Sequence, residues 1–288
     1  MPGPLFTTFN LASAILNMAT IEHPSKRYPS FGYCIICLAE LSPNQLTDEH
    51  VIPFFLSGNG EVLIAKGSCK SCQEYANKSY ENIASNYDFL VPRLLLGLRR
   101  RNKKSPKYLP PVSYDSQIDT PGSEGFDGQL AADKYPSLFA MMRFEPAGNL
   151  LGVGRGNSPD SIRFQFISLD RTPKQSKMVT TRHAHHFTSF TKVLAKIGYC
   201  HAIAELGLEG FDGCEIRSLL AGERDDIFNF VGDCSAPEHL TDRYLHKLYI
   251  RKRGSLVTVI VHLFASCGLM PYEVVVGPSS SSVMQRAV

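Results

Sequence analysis

The tripeptide Asp48-Glu49-His50 sets two carboxylates beside an imidazole, and two C-x2-C knuckles, Cys34/Cys37 and Cys69/Cys72, bracket it. The knuckles follow the spacing C-x2-C-x31-C-x2-C. Four thiolates in two knuckles close a tetrahedral zinc site. A closed four-thiolate site is structural and says nothing by itself about catalysis. It contributes folding free energy on the order of 10 kcal/mol in small metal domains. A carboxylate and an imidazole held inside such a staple point to metal-assisted hydrolysis, with a phosphodiester as the expected substrate.

Several elements must position these groups. The apolar run Val51–Leu56 reads as the first strand of a hairpin, Ser57-Gly58-Asn59-Gly60 as its turn, and Glu61–Ala65 as the returning strand. The chain then enters the second knuckle. Ala76, Tyr80, Ile83 and Ala84 recur at helical spacing, which predicts a helix from the knuckle to about Tyr87. Pro92 marks a break, with a second short helix over Arg93–Leu98.

The order CIIC, DEHVIP, a glycine-bearing turn, GSCKSC and a helix resembles the HNH endonucleases, or ββα-metal nucleases. The EHVIP and SC-x2-C texts are close to one bacterial branch of that family. The resemblance covers about residues 34–100, roughly a quarter of the chain. The texts LAKIGYCHAIAELGL and LFASCGLMPYEVVVG also resemble later parts of bacterial proteins carrying this domain. They carry no chemistry.

What the resemblance implies is a set of roles. His50 would be the general base that takes a proton from the attacking water, as its near-neutral pKa suits. Glu49 would bind one divalent cation, expected to be magnesium in a hard, oxygen-rich site. The cation would stabilise charge on the scissile phosphate and the leaving oxygen. Asp48 is the alternative ligand. In a regular strand 48 and 50 share a face and 49 points away, so Glu49 is preferred on the motif, and a kink there would reverse the geometry.

The family also takes a polar ligand from the helix. Gln73, Asn77 and Glu81 lie four residues apart on one face. Asn77, 27 residues after His50, is the first choice and Glu81 the second. Gln73 stands where the family often has Asn or His. A solvated polar stripe is the plainer account of this face.

Arg99, Arg100, Arg101, Lys103, Lys104 and Lys107 place six positive charges in nine residues. Such a run suits sequence-independent contact with the DNA backbone, and Arg93 could join it. A solvated loop explains it equally simply. The cluster RHAHH, with His183, His185 and His186, is read as a loop preceding a buried helix, Phe187–Leu206, which Gly207 stops. Segments 137–152, 161–169, 256–264 and 273–276 read as strands. In the second of these, Ile162, Phe164 and Phe166 alternate with Arg163 and Gln165, as in a half-buried strand.

The chain of 288 residues, 43% apolar and with a net charge of +3, has material for a real core. Nucleic-acid binding cannot be argued from overall charge. Cys200, Cys214, Cys234 and Cys267 are read as reduced thiols. No apolar run reaches the roughly 18 to 20 residues of a membrane span, and a cytoplasmic protein is expected.

The expected fold is α+β. A zinc-stapled ββα-metal (HNH-like) domain over 29–110 follows a leader, 1–28. A linker, 111–135, leads to a mixed α+β domain of unreadable role, 136–278, and a tail, 279–288. The expected activity is metal-dependent DNA hydrolysis. The rivals are a non-catalytic zinc-dependent nucleic-acid-binding module and a protein-interaction adaptor.

Overall fold

The computed structural model describes residues 21–98, 109–115, 126–130, 134–148, 161–169, 178–181, 184–234 and 243–280. Most of the leader, the basic run Arg99–Lys107, His183 and most of the tail lie outside the described residues. The fold is mixed α+β with several small sheets.

Strand β1 (Lys26–Tyr28) runs parallel to β3 (Val62–Cys69), and β2 (Leu46–His50) pairs antiparallel with it on the other side. The hairpin thus differs from expectation. Its first strand is Leu46–His50, whereas Val51–Leu56 forms tight turns in which the Leu56 N–H donates to Pro53 O at 2.8 Å. Pro53 has no N–H for a ladder. Val51, Ile52 and Leu56 are all buried, so their apolar character reflects a packed turn. A short apolar run does not by itself distinguish the two.

The first knuckle is a turn in which the Leu38 N–H donates to Cys34 O at 2.8 Å and Leu38 takes φ 60°. The second closes β3 and opens a helix. Helix α1 (Lys70–Ala76) passes into a π-helical turn, Asn77–Glu81, and then α2 (Asn82–Asn86). The helical stretch has the expected extent. The wide turn is marked by the Asn82 N–H donating to Asn77 O. Helix α3 is Leu90–Leu95, earlier than expected. Pro92 sits in its first turn, where a missing N–H costs nothing.

Among the described pieces of the expected linker are β4 (Val112–Asp115) and β5 (Phe126–Gly128). Strands β6 (Leu138–Arg143) and β7 (Arg163–Ser168) form a two-stranded ladder, and β8 (Met178–Thr181) joins β4. Along β7 the alternation is inverted from expectation. Phe164 and Phe166 are 36% and 46% exposed, and Ile167 is the buried residue. The Phe164 ring lies 4.8 Å from that of His185.

Helix α4 (Phe187–Leu206) matches the expected span and is buried along most of its length. Its start is capped from outside. The buried Asp88 carboxylate accepts the His186 N–H at 3.0 Å and lies 3.2 Å from His185 Nδ1. An anion at a helix N-terminus is favourable, so the part of RHAHH that is described serves the cap. Gly207, φ 70°, ends the helix. Helix α5 (Cys214–Ala221) follows.

The last sheet is antiparallel, in the order β10-β11-β12-β9, from β9 (Val231–Asp233), β10 (Lys247–Arg253), β11 (Leu256–His262) and β12 (Tyr272–Pro278). Helix α4 lies against β11 and β12. Gly198 permits the approach, since a Cβ there would stand 2.7 Å from Val274 Cβ.

One buried apolar cluster runs from Ile35, Val51 and Tyr80 through Phe190 and Ile197 to Val259 and Val274. Helix α4 is therefore shared between the knuckle region and the last sheet. No helix among the described residues is long and apolar enough to cross a membrane.

Candidate functional site

Two clusters of chemistry-bearing side chains lie near α1. The first is the knuckle pair. The sulfurs of Cys34, Cys37, Cys69 and Cys72 all lie within 4.8 Å of one another, and those of Cys37 and Cys69 are 3.8 Å apart. All four are free thiols. A tetrahedral ion with bonds of about 2.3 Å to sulfur needs S···S separations of about 3.8 Å, so this cluster could hold a metal such as zinc. Cys69 also caps α1, its sulfur accepting the Cys72 N–H at 3.5 Å. The cluster ties the Tyr33–Glu40 loop to the junction of β3 and α1.

The second cluster is built on an irregularity of the β2–β3 ladder. Thr47 pairs with Ser68, but Glu49 pairs with Ile64, so β3 carries extra residues at Ala65–Gly67. Lys66 has φ 50°. Gly67 is required here, because a Cβ on it would stand 2.9 Å from Glu49 Cβ. The bulge breaks the two-residue alternation of a strand. As a result, Glu49 and His50 border the same cavity although they are neighbours in sequence.

Asp48 is engaged elsewhere. Its carboxylate pairs with Arg27 at 3.0 Å and accepts the Lys66 N–H at 3.0 Å. The Lys66 N–H is the main cause holding its pKa below the ordinary value. Asp48 is thus not among the groups brought to the cavity, and the shared face expected for 48 and 50 is lost to the bulge.

The cavity has a volume of about 130 Å³ and lies between the β2 end and the α1–π–α2 helix. Gln73, Asn77, Glu81, Asn82 and Ser85 border it from the helix, as does Arg93 from α3. The three polar positions expected on one face do converge. The π turn brings Glu81 into burial at 9% exposure.

Two of these groups have partners of their own. Gln73 donates to Asp48 O at 3.4 Å and so steadies the bulge. Arg93 is buried, donates to Ser85 O at 3.0 Å and to Ser85 Oγ, and stacks over Phe55 with its guanidinium 5.2 Å from the ring centre. Arg99, Arg100, Arg101, Lys103 and Lys104 lie outside the described residues.

His50 packs edge-on against Phe54, ring centres 5.8 Å apart. Burial is the main cause pushing its pKa below the ordinary histidine value. Glu49 opposes the shift and Lys196 adds to it. The ring is therefore neutral near pH 7 and able to accept a proton. The turn that follows His50 is pinned from the far half of the chain. His246 Nε2 donates to Leu56 O at 2.9 Å while its Nδ1 accepts the Phe264 N–H at 3.1 Å.

The residue that sequence reasoning missed is Lys196. It lies in the middle of α4, 3% exposed, and its Nζ is 2.5 Å from an oxygen of Glu49 and 2.5 Å from an oxygen of Glu81. Burial opposes its charge, but the two carboxylates outweigh burial and hold its pKa well above the ordinary value. A signal was present. A lysine inside LAKIGYCHAIA, among buried apolar residues, must meet an anion.

The donors suit a hard divalent cation. Two carboxylates and two amide oxygens, from Glu49, Glu81, Asn77 and Gln73, border one cavity, and oxygen ligands of this kind bind magnesium. Lys196 takes one oxygen of each carboxylate.

In comparisons with known proteins, no family model, curated protein or solved structure matches this chain.

Proposed function

We propose that the protein is a zinc-stapled, divalent-cation-dependent endonuclease that hydrolyses DNA phosphodiester bonds, with His50 as general base. The observation that carries this reading is a half-buried imidazole on the same cavity as Glu49, Asn77, Glu81 and Arg93. His50 takes the proton of a water that attacks the phosphorus. Glu49, Asn77 and Glu81, with Gln73 at the margin, hold the cation, magnesium being the best match. When bound, it supplies charge stabilisation at the phosphate and at the leaving oxygen.

Arg93 faces the phosphate from the opposite wall and contributes a fixed positive charge. Phe54 and Phe55 give the cavity an apolar rim that keeps the imidazole unprotonated. Zinc on Cys34, Cys37, Cys69 and Cys72 holds the hairpin against α1 and takes no part in the chemistry. The run Arg99–Lys107 supplies backbone contacts to DNA without reading sequence.

The test is plasmid nicking in magnesium by purified full-length protein beside His50→Ala. The expected outcome is a loss of about 10²- to 10⁴-fold in rate, the usual contribution of a positioned base. Equal nicking by both proteins ends the reading.

A second reading is favoured by one observation. Glu49 and Glu81 are already both paired with Lys196, as in a zinc-dependent DNA-binding module that does not cleave. Salt-sensitive DNA binding with no nicking in magnesium or manganese would select it.

A further inference from the structure

The Glu49–Lys196–Glu81 cluster separates two cavities. One is the 130 Å³ cavity with His50. The other, of about 510 Å³, lies beyond α1 and is bordered by Glu49, Lys196, Tyr75, Arg217 and Glu223. The ammonium is almost fully removed from water and touches both acids at 2.5 Å. A cation that bridges two buried carboxylates offsets their mutual repulsion.

We infer that Lys196 is the resident cation of this site. It holds Glu49 and Glu81 in register and offsets part of their charge while no divalent ion is bound, and it competes with that ion for them. The inference rests on the reading of Glu49 and Glu81 as cation ligands. The second cavity gives the ammonium somewhere to go, with the Glu223 carboxylate on its wall. Lys196 is therefore a positioning residue that sets cation affinity from the far half of the chain. A unit positive charge a few ångströms from a divalent ion opposes its binding whether or not the two overlap in space.

The experiment is calorimetric titration of the zinc-loaded, full-length protein with Mn²⁺, with no DNA present. Loss of the signal in Glu49→Gln assigns the heat to this site. Lys196→Met keeps the length of the side chain and removes its charge. Its expected effect is Mn²⁺ binding tighter by on the order of tenfold. Unchanged or weaker binding in a folded Lys196→Met protein overturns the inference, as does an absence of Glu49-dependent binding in both proteins.

If Lys196→Met does not fold, the wild type decides. Magnesium must then shift the Lys196 Cε–H signal, identified by its loss in Lys196→Arg, and a signal that stays put overturns the inference. Tighter Mn²⁺ binding without any DNA cleavage would leave this inference standing and remove the nuclease reading. Cleavage with unchanged Mn²⁺ affinity would do the reverse.

Discussion

The thiol cluster and the acid–lysine cluster both lie near one short helix, and they are assembled in opposite ways. The four cysteines come from a span of 39 residues, 34 to 72: one tight turn, and the strand–helix junction at the end of the hairpin. The acid–lysine cluster joins β2, the π turn and the middle of α4, with Lys196 lying 115 residues beyond Glu81. The first can form as soon as the hairpin closes around an ion. The second needs the shared core to be in place. A local cluster can be recognised by spacing alone, whereas a long-range cluster becomes visible only through its packing.

The largest effect should come from the local cluster. If the cluster holds zinc as proposed, stripping the metal removes a contribution on the order of 10 kcal/mol, and replacing Cys34 or Cys69 by Ser removes much of it. The expected outcome is loss of native circular dichroism and of cooperative melting, together with loss of metal by elemental analysis. A chelator-treated protein with an unchanged melting temperature would mean that hydrophobic packing alone holds this region, and the contrast between the two clusters would fall.

A second break concerns the seam between the halves. His246 and His201 are buried, and burial pushes each down to about 4. In the unfolded chain both titrate near 6.5. The unfolded state therefore binds more protons between these values, and stability falls as pH drops from about 6.5 to about 4. The full shift corresponds to about 3 kcal/mol for each histidine. Urea unfolding at pH 7 and pH 4.5 measures the change. His246→Gln, which keeps a donor toward Leu56 O, should flatten part of the slope. An identical slope in that variant would detach His246 from the effect.

The smallest effect sharpens the boundary of the cavity. Asp48 is Glu49's neighbour but pairs with the exposed Arg27, and such pairs contribute about 0.2 to 1 kcal/mol. Asp48→Asn should leave Mn²⁺ affinity within about twofold and lower stability by no more than about 1 kcal/mol. An effect as large as that of Glu49→Gln would put Asp48 back among the ligands.

The same contrast explains what could be read from the sequence. The knuckles, the span of α4 and the polar face of Gln73, Asn77 and Glu81 follow from local spacing. The placement of the hairpin did not, because Val51–Leu56 is apolar for burial in a turn rather than for a strand. The choice between Asp48 and Glu49 turned on a bulge that no residue of β2 announces. It lies in the partner strand, at Lys66 and Gly67. Strand β10 was invisible because four of its seven residues are Lys or Arg, a composition typical of an edge strand. Phe164 and Phe166 misled because period-two alternation fixes two faces but does not say which is covered. Lys196 escaped because its partners lie in another element.

The π turn at Asn77–Glu81 has a consequence of its own. Such a turn amounts to one surplus residue accommodated within an otherwise ordinary helix. Remove that residue and the winding tightens, turning everything beyond it by about 100° relative to everything before it. Ser85, on which Arg93 leans, would swing away, while Gln73 stayed in place. The spacing between knuckle and arginine is thus counted in whole residues, and a shortening by one changes the direction in which the second half of the helix looks.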